Sequence, residues 1–170
     1  DANPFLLNCK NGTLDLKDGS FHAHAAADLL SKITNVDYVP GASSERWDKF
    51  ITEVMQASED ADGADVDRAK FLQKALGYSL TGDTSQECFF ILNGPTTRNG
   101  KGTTMETIIR MMGDYGTTCR PDTIAQHRGS NASGPNEDVA RLAGARFVNI
   151  SEPDKRMALS SALVKTLTGG

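Results

Sequence analysis

The chain has 170 residues, 38% of them hydrophobic, and a net charge of −4. That length and balance suit one globular domain, or one with a small appendage, and suffice for a buried core. The acidic balance excludes a chain that binds nucleic acid over its whole surface. Its 18 Lys and Arg are scattered, so any DNA contact is expected to be local or to lie outside this piece.

In chain order, residues 5–24 predict a β-meander. FLLNCK, TLDL and FHAH are separated by Asn11-Gly12 and Asp18-Gly19, pairs that supply the positive φ of tight turns. Such a hairpin needs a packing partner. Residues 44–56 predict an amphipathic helix, with Trp47, Phe50, Ile51, Val54 and Met55 at helical spacing and Ser44 as N-cap. The acidic, Gly-containing stretch 57–65 reads as a linker. A second helix follows, with Val66, Ala69, Leu72, Leu76 and Leu80 on one side, closed by Thr81-Gly82-Asp83.

From residue 87 the pattern changes. ECFFILN is a continuous apolar run of strand length, as in a strand buried on both faces of a parallel sheet. A polar loop follows at 94–100. A helix is expected over 101–112, with Met105, Ile108, Ile109 and Met112 on one face and Gly113 as its stop. YGTTCR (115–120) predicts a weak strand and 127–136 a mobile Gly/Ser/Asn-rich loop. EDVARL predicts a short helix and ARFVNIS a second buried strand. A last helix carries Leu159, Ala162, Leu163 and Leu167. Strand and helix alternate as in a parallel α/β fold. The expected organisation is a β-hairpin region (1–40), a helical collar-like region (41–85) and the first half of a P-loop ATPase core (86–170).

The three cysteines, Cys9, Cys88 and Cys119, are far apart and form no C-x-x-C pair, so neither a zinc site nor a disulfide framework is expected. They read as buried thiols in a reducing cytosol. No run of 18 apolar residues and no basic-then-apolar leader occurs, so a cytoplasmic protein without membrane contact is expected. The chain starts at Asp1 without Met and stops just after an apolar-periodic stretch, which reads as a fragment of something longer.

The chemistry concentrates in 91-ILNGPTTRNGKGTTMET-107. A triphosphate needs a loop that turns backbone N–H groups inward, a following helix N-terminus, and a lysine reaching the terminal phosphates. The general pattern is G-x-x-x-x-G-K-[ST] after a strand. Here Gly94 and Gly100 have five residues between them, and Gly102 follows Lys101 where a hydroxyl normally meets magnesium. Either the loop carries one extra residue or Pro95 takes the first position, and Thr103, a water or a group elsewhere is left to supply that oxygen. A second signal is 146-RFVNISEPD-154. NTP hydrolysis needs a carboxylate at the end of a neighbouring buried strand, and Glu152 stands there, with Ser151 in place of a second acid. Asp154 is a weaker substitute because Pro153 turns the chain first. His22 and His24 lack a third ligand and read as surface residues. Arg98 either touches phosphate or is solvated, and Arg141 and Arg146 are either structural, the favoured reading, or face a neighbouring subunit.

LLNCKNGTLDL, RWDKF, FLQKALGYSLTGD, CFFILNGPTTRNGKGT, GPNEDVARLAGARFVNISE and LVKTLTGG, in this order, resemble phage and plasmid primase–helicases of the satellite-phage type, similar also to the poxvirus primase–helicase. The resemblance covers nearly the whole chain. It implies a superfamily 3, AAA-like ATPase that uses ATP and Mg2+, assembles as a ring, usually a hexamer, and translocates on DNA. By that likeness Lys101 is the phosphate-loop lysine, and Gly94, Asn99, Gly100, Gly102 and Thr103 line the phosphates. Glu152 is the catalytic carboxylate, and Thr103 and Glu152 are the residues nearest the metal. The rival readings are a small-molecule kinase using the same loop and a non-catalytic oligomerisation fragment. A kinase needs a lid with several arginines, and 127–136 offers only Arg128.

Overall fold

A computed structural model describes residues 3–55, 65–94, 98–126, 137–151 and 157–169. The architecture is mixed α/β, with a three-stranded antiparallel meander, a small parallel sheet and helices around them.

The meander forms as expected. β1 (Leu6–Cys9), β2 (Gly12–Asp15) and β3 (Phe21–His22) lie in the order β1-β2-β3. The first turn differs from the prediction. Cys9 pairs with Gly12, so the turn is Lys10-Asn11 and Gly12 belongs to the strand. Its φ of +156° is positive as expected, and its lack of a side chain also serves packing. A Cβ there would collide with the His22 carbonyl and stand 2.6 Å from the Phe21 ring. Asp18-Gly19 acts as predicted. Gly19 has φ +75°, and Asp18 Oδ1 accepts the Ser20 amide at 2.8 Å.

Helix α1 (Glu45–Val54) starts at Ser44, whose Oγ accepts the Trp47 amide at 3.3 Å. The expected linker beyond it lies largely outside the described residues. Its last residue, Asp65, is the N-cap of α2 (Val66–Tyr78) and accepts the Arg68 amide at 3.1 Å. The Asp65 amide donates to the Met55 carbonyl at 2.6 Å, which clasps the two helices together at their joint.

The apolar run 87–93 departs from its prediction. It is not a strand of any sheet among the described residues, and its side chains face solvent, Ile91 with 76% of its surface exposed. A continuous apolar run marks a segment that prefers burial, but it does not supply the neighbouring strand. The parallel sheet is β4 (Gly116–Cys119) beside β5 (Phe147–Ile150), in register from Gly116↔Phe147 to Cys119↔Ile150. β5 is only partly buried, and Val148 is exposed, which corrects the second buried strand.

Between meander and sheet runs α3 (Lys101–Met112), with the predicted bounds. Ile108 and Met112 face the core, where they meet Leu7, Cys9 and Leu14 of the meander and the fully buried Tyr115. Gly113 ends the helix at φ +56°, with its Cα against the backbone of Thr34 and Asn35. A Cβ at Gly116 would stand 2.9 Å from Met112 Cβ, so glycine permits α3 to lie close on β4. The short helix α4 (Glu137–Ala140) and α5 (Ser161–Leu167) follow, α5 capped by Ser160. Leu159 lies before α5, in a single bridge to Ala125. The loop expected at 127–136 falls outside the described residues.

Of the cysteines, Cys9 is buried and Cys119 is partly so, but Cys88 is exposed. Cys88 departs from expectation because its segment has no sheet partner among the described residues. No described helix is long and apolar enough to cross a membrane.

Candidate functional site

The start of α3 is built unlike the other long helices. α1 and α2 are capped by their own side chains and carry acidic residues in the first turn. α3 begins at Gly100, with φ +79°, no side-chain cap and no acid in its first turn. Its first N–H groups and the positive end of its dipole are left for another partner. An anion is the partner that this geometry favours.

Three sequence-predicted residues converge there. Lys101 Nζ donates to Asn99 Oδ1 at 2.7 Å. Both press on Gly94, where a Cβ would collide with Asn99 Nδ2 and stand 3.2 Å from Lys101 Nζ. Glycine at 94 is thus what lets the lysine fold back along the loop. Arg98 is exposed with φ +59°. Among the described residues, a Cβ at Gly102 would meet no atom within 4 Å, so their packing does not require glycine at this position.

The two threonines separate. Thr104 is buried, and its Oγ1 donates to the Gly100 carbonyl at 3.0 Å, closing the first turn. Thr103 is exposed on the outer side of that turn. Of the two, Thr103 has the hydroxyl free to turn toward a ligand. Glu152, Pro153 and Asp154 lie outside the described residues. The preceding residue, Ser151, is exposed, and its Oγ lies 3.3 Å from Asn149 Nδ2. The single turn Gly113–Tyr115 joins α3 to β4.

A separate polar cleft opens beyond β4, lined by Thr118, Cys119, Arg120, Glu137, Asp138 and Arg141 among others. It contains none of the loop residues. Arg120 Nη2 donates to Asp138 Oδ2 at 2.7 Å, and that bond raises the guanidinium pKa. Arg141 pairs with Glu137 one turn away, both exposed. Arg146 is structural, as read from the sequence. Its Nη1 and Nη2 donate to the carbonyls of Leu80 and Leu6 at 2.8 and 2.7 Å. Burial lowers its pKa, and the Tyr115 phenol partly opposes that shift. Sequence reasoning missed Phe50 and Val54, which touch Gly100. Their helical spacing marked them as apolar face, but nothing in it showed which element that face would meet.

Comparison with known proteins agrees with the N-terminal part of this picture. Residues 1–56 match the family described as D5 N terminal like. Over all 170 residues the chain is 26% identical to a putative helicase, L207/L206, of Acanthamoeba polyphaga mimivirus. Both likenesses support a resemblance to the viral primase–helicase type. The match takes in 100% of this chain and 17% of that relative, so the chain spans about one sixth of the helicase it resembles. The matched N-terminal region contains the meander and α1, the elements that pack on α3 and on the loop before it.

Proposed function

We propose that this chain is the ATP-binding part of a DNA primase–helicase, with the triphosphate seated on the N-terminus of α3. The observation that carries this reading is the convergence of Gly94, Asn99 and Lys101 at an uncapped helix start. The residues fit the group. Lys101 supplies a point charge, Gly100 and Gly102 leave backbone N–H groups unshielded, and Thr103 offers a hydroxyl to Mg2+. Bound ATP and Mg2+ supply the phosphoryl group and its electrophilic activation. In the protein's own part, Lys101 holds charge in place, Asn99 orients the lysine, and Glu152 polarises water. Hydrolysis and unwinding belong to the longer protein, assembled as a ring, usually a hexamer, on DNA. Its neighbouring copies and downstream elements complete the site.

In that protein Lys101→Ala abolishes ATP binding, whereas Glu152→Gln retains binding and lowers hydrolysis by orders of magnitude. Normal turnover in either variant refutes the assignment. The kinase alternative has no observation in its favour beyond the shared loop. A phosphate acceptor that raises turnover above the water rate would revive it.

A further inference from the structure

Gly100 is held from outside the loop. A Cβ there would collide with Val54 Cγ1 and stand 3.2 Å from Phe50 Cζ. Phe50 and Val54 are one turn apart on α1 and share a face. Trp47, on the same stripe, packs against the core and has its ring 5.7 Å from that of Phe50. The stripe therefore runs from the core to the residue at which the loop becomes α3. On the other side of the loop, Phe71 of α2 meets Phe90 edge-on at 6.0 Å. With the Asp65–Met55 bond joining the helices, the pair touches the polypeptide both before and after the loop.

We infer that α1 regulates the phosphate loop, with Phe50 and Val54 as positioning residues that hold Gly100 in its triphosphate-accepting conformation. The inference rests on the nucleotide-site reading above. Its physical basis is the freedom of glycine. Gly100 populates both signs of φ, so its own preference does not fix the turn into α3. Contact with Val54 and Phe50 selects one conformation. A shift of α1, driven by whatever binds or moves the helical pair, releases it. Neither side chain needs to touch the ligand.

The test is a titration of a fluorescent ATP analogue with Mg2+ into the 170-residue chain and its Val54→Ala, Phe50→Leu, Gly100→Ala and Val54→Ala/Gly100→Ala variants. Circular dichroism establishes folding of each. Val54→Ala and Phe50→Leu weaken binding about three- to tenfold, within the range of coupling between touching residues. Val54→Ile, which keeps the contact, restores it. Gly100→Ala weakens binding more than either of these, by a factor the titration can still measure. The double variant binds more tightly than Gly100→Ala alone, because the colliding methyl is gone. Wild-type binding with no change in Val54→Ala and Phe50→Leu overturns the inference and leaves the nucleotide site intact. So does a double variant whose loss is the product of the two single losses. No binding by folded wild-type chain overturns both.

Discussion

Arg146 lies with its guanidinium carbon 4.4 Å above the ring of Tyr115, while its two outer nitrogens bond the carbonyls of Leu80 and Leu6. One side chain thus joins the sheet, the end of the α2 region and the meander. The planar fork makes this possible, since an ammonium offers neither its geometry nor its stacking face.

Arg146→Lys is therefore expected to cost roughly 2–3 kcal/mol of stability, the scale of lost charge-assisted hydrogen bonds. Arg146→Met is expected to cost at least as much, because it leaves both carbonyls without this donor. Denaturant unfolding of each variant measures the loss. A change within about 0.5 kcal/mol, typical of an unimportant surface site, would contradict the tie.

The apolar run gives a second test, because sequence pattern and structure disagree about it. Ile91→Lys in a strand buried on both faces would be severely destabilising. Ile91 is 76% exposed, so the expected change in this chain is within about 0.5 kcal/mol. Equilibrium unfolding separates the two outcomes without ambiguity.

Thiol chemistry gives a third. Cys88 is exposed, while Cys9 is 3% exposed. Burial pushes the Cys9 thiol up, more than its hydrogen bond with Thr34 lowers it. Cys119 is also pushed up, by burial first and then by Asp138. A thiol-reactive probe near neutral pH should label Cys88 rapidly, Cys119 more slowly and Cys9 only after denaturation, as read by mass spectrometry of peptides. For Cys9 and Cys119 the folded pKa lies above the unfolded one. Their contribution to stability is present below the unfolded thiol value and is lost as pH rises through the folded value. Stability should therefore fall at alkaline pH. Equal labelling of all three thiols in the native chain would contradict the burial pattern.

Gly102 separates stability from binding. Because a Cβ there meets no described atom within 4 Å, Gly102→Ala should leave stability unchanged or raise it by the helix preference of alanine, up to about 1 kcal/mol, read as an equal or higher thermal midpoint. The same change should weaken binding of an ATP analogue, because the added methyl stands where phosphate approaches the backbone. Unchanged binding would remove Gly102 from the site.

Local signals carried much of this molecule. Ser44 as cap, the period of Ile108 and Met112, and Asp18-Gly19 as a turn are decided within a few residues, and the structure follows them. What failed or stayed silent depends on distant partners. Gly12 has the expected positive φ, but its place in the strand and its close approach to the Phe21 ring were not foreseen. The run 87–93 was expected to be a buried strand because apolar character shows appetite for burial, not the presence of a neighbour. Arg146 reaches residues 66 and 140 positions away, and no spacing rule spans that distance. In the candidate site, Gly94, Asn99 and Lys101 were singled out together by the loop pattern, and the structure brings them together. The seating of α1 on Gly100 was not legible, because it is set by the packing of two helices.

The central claim is that the start of α3 binds a triphosphate through Lys101. Titration of a fluorescent ATP analogue with Mg2+ into the folded chain and its Lys101→Ala variant tests it most directly. The account predicts weak, saturable binding by the wild type, lost in the variant with an unchanged thermal midpoint. Equal binding by both, or none by the folded wild-type chain at high micromolar concentration, would contradict it.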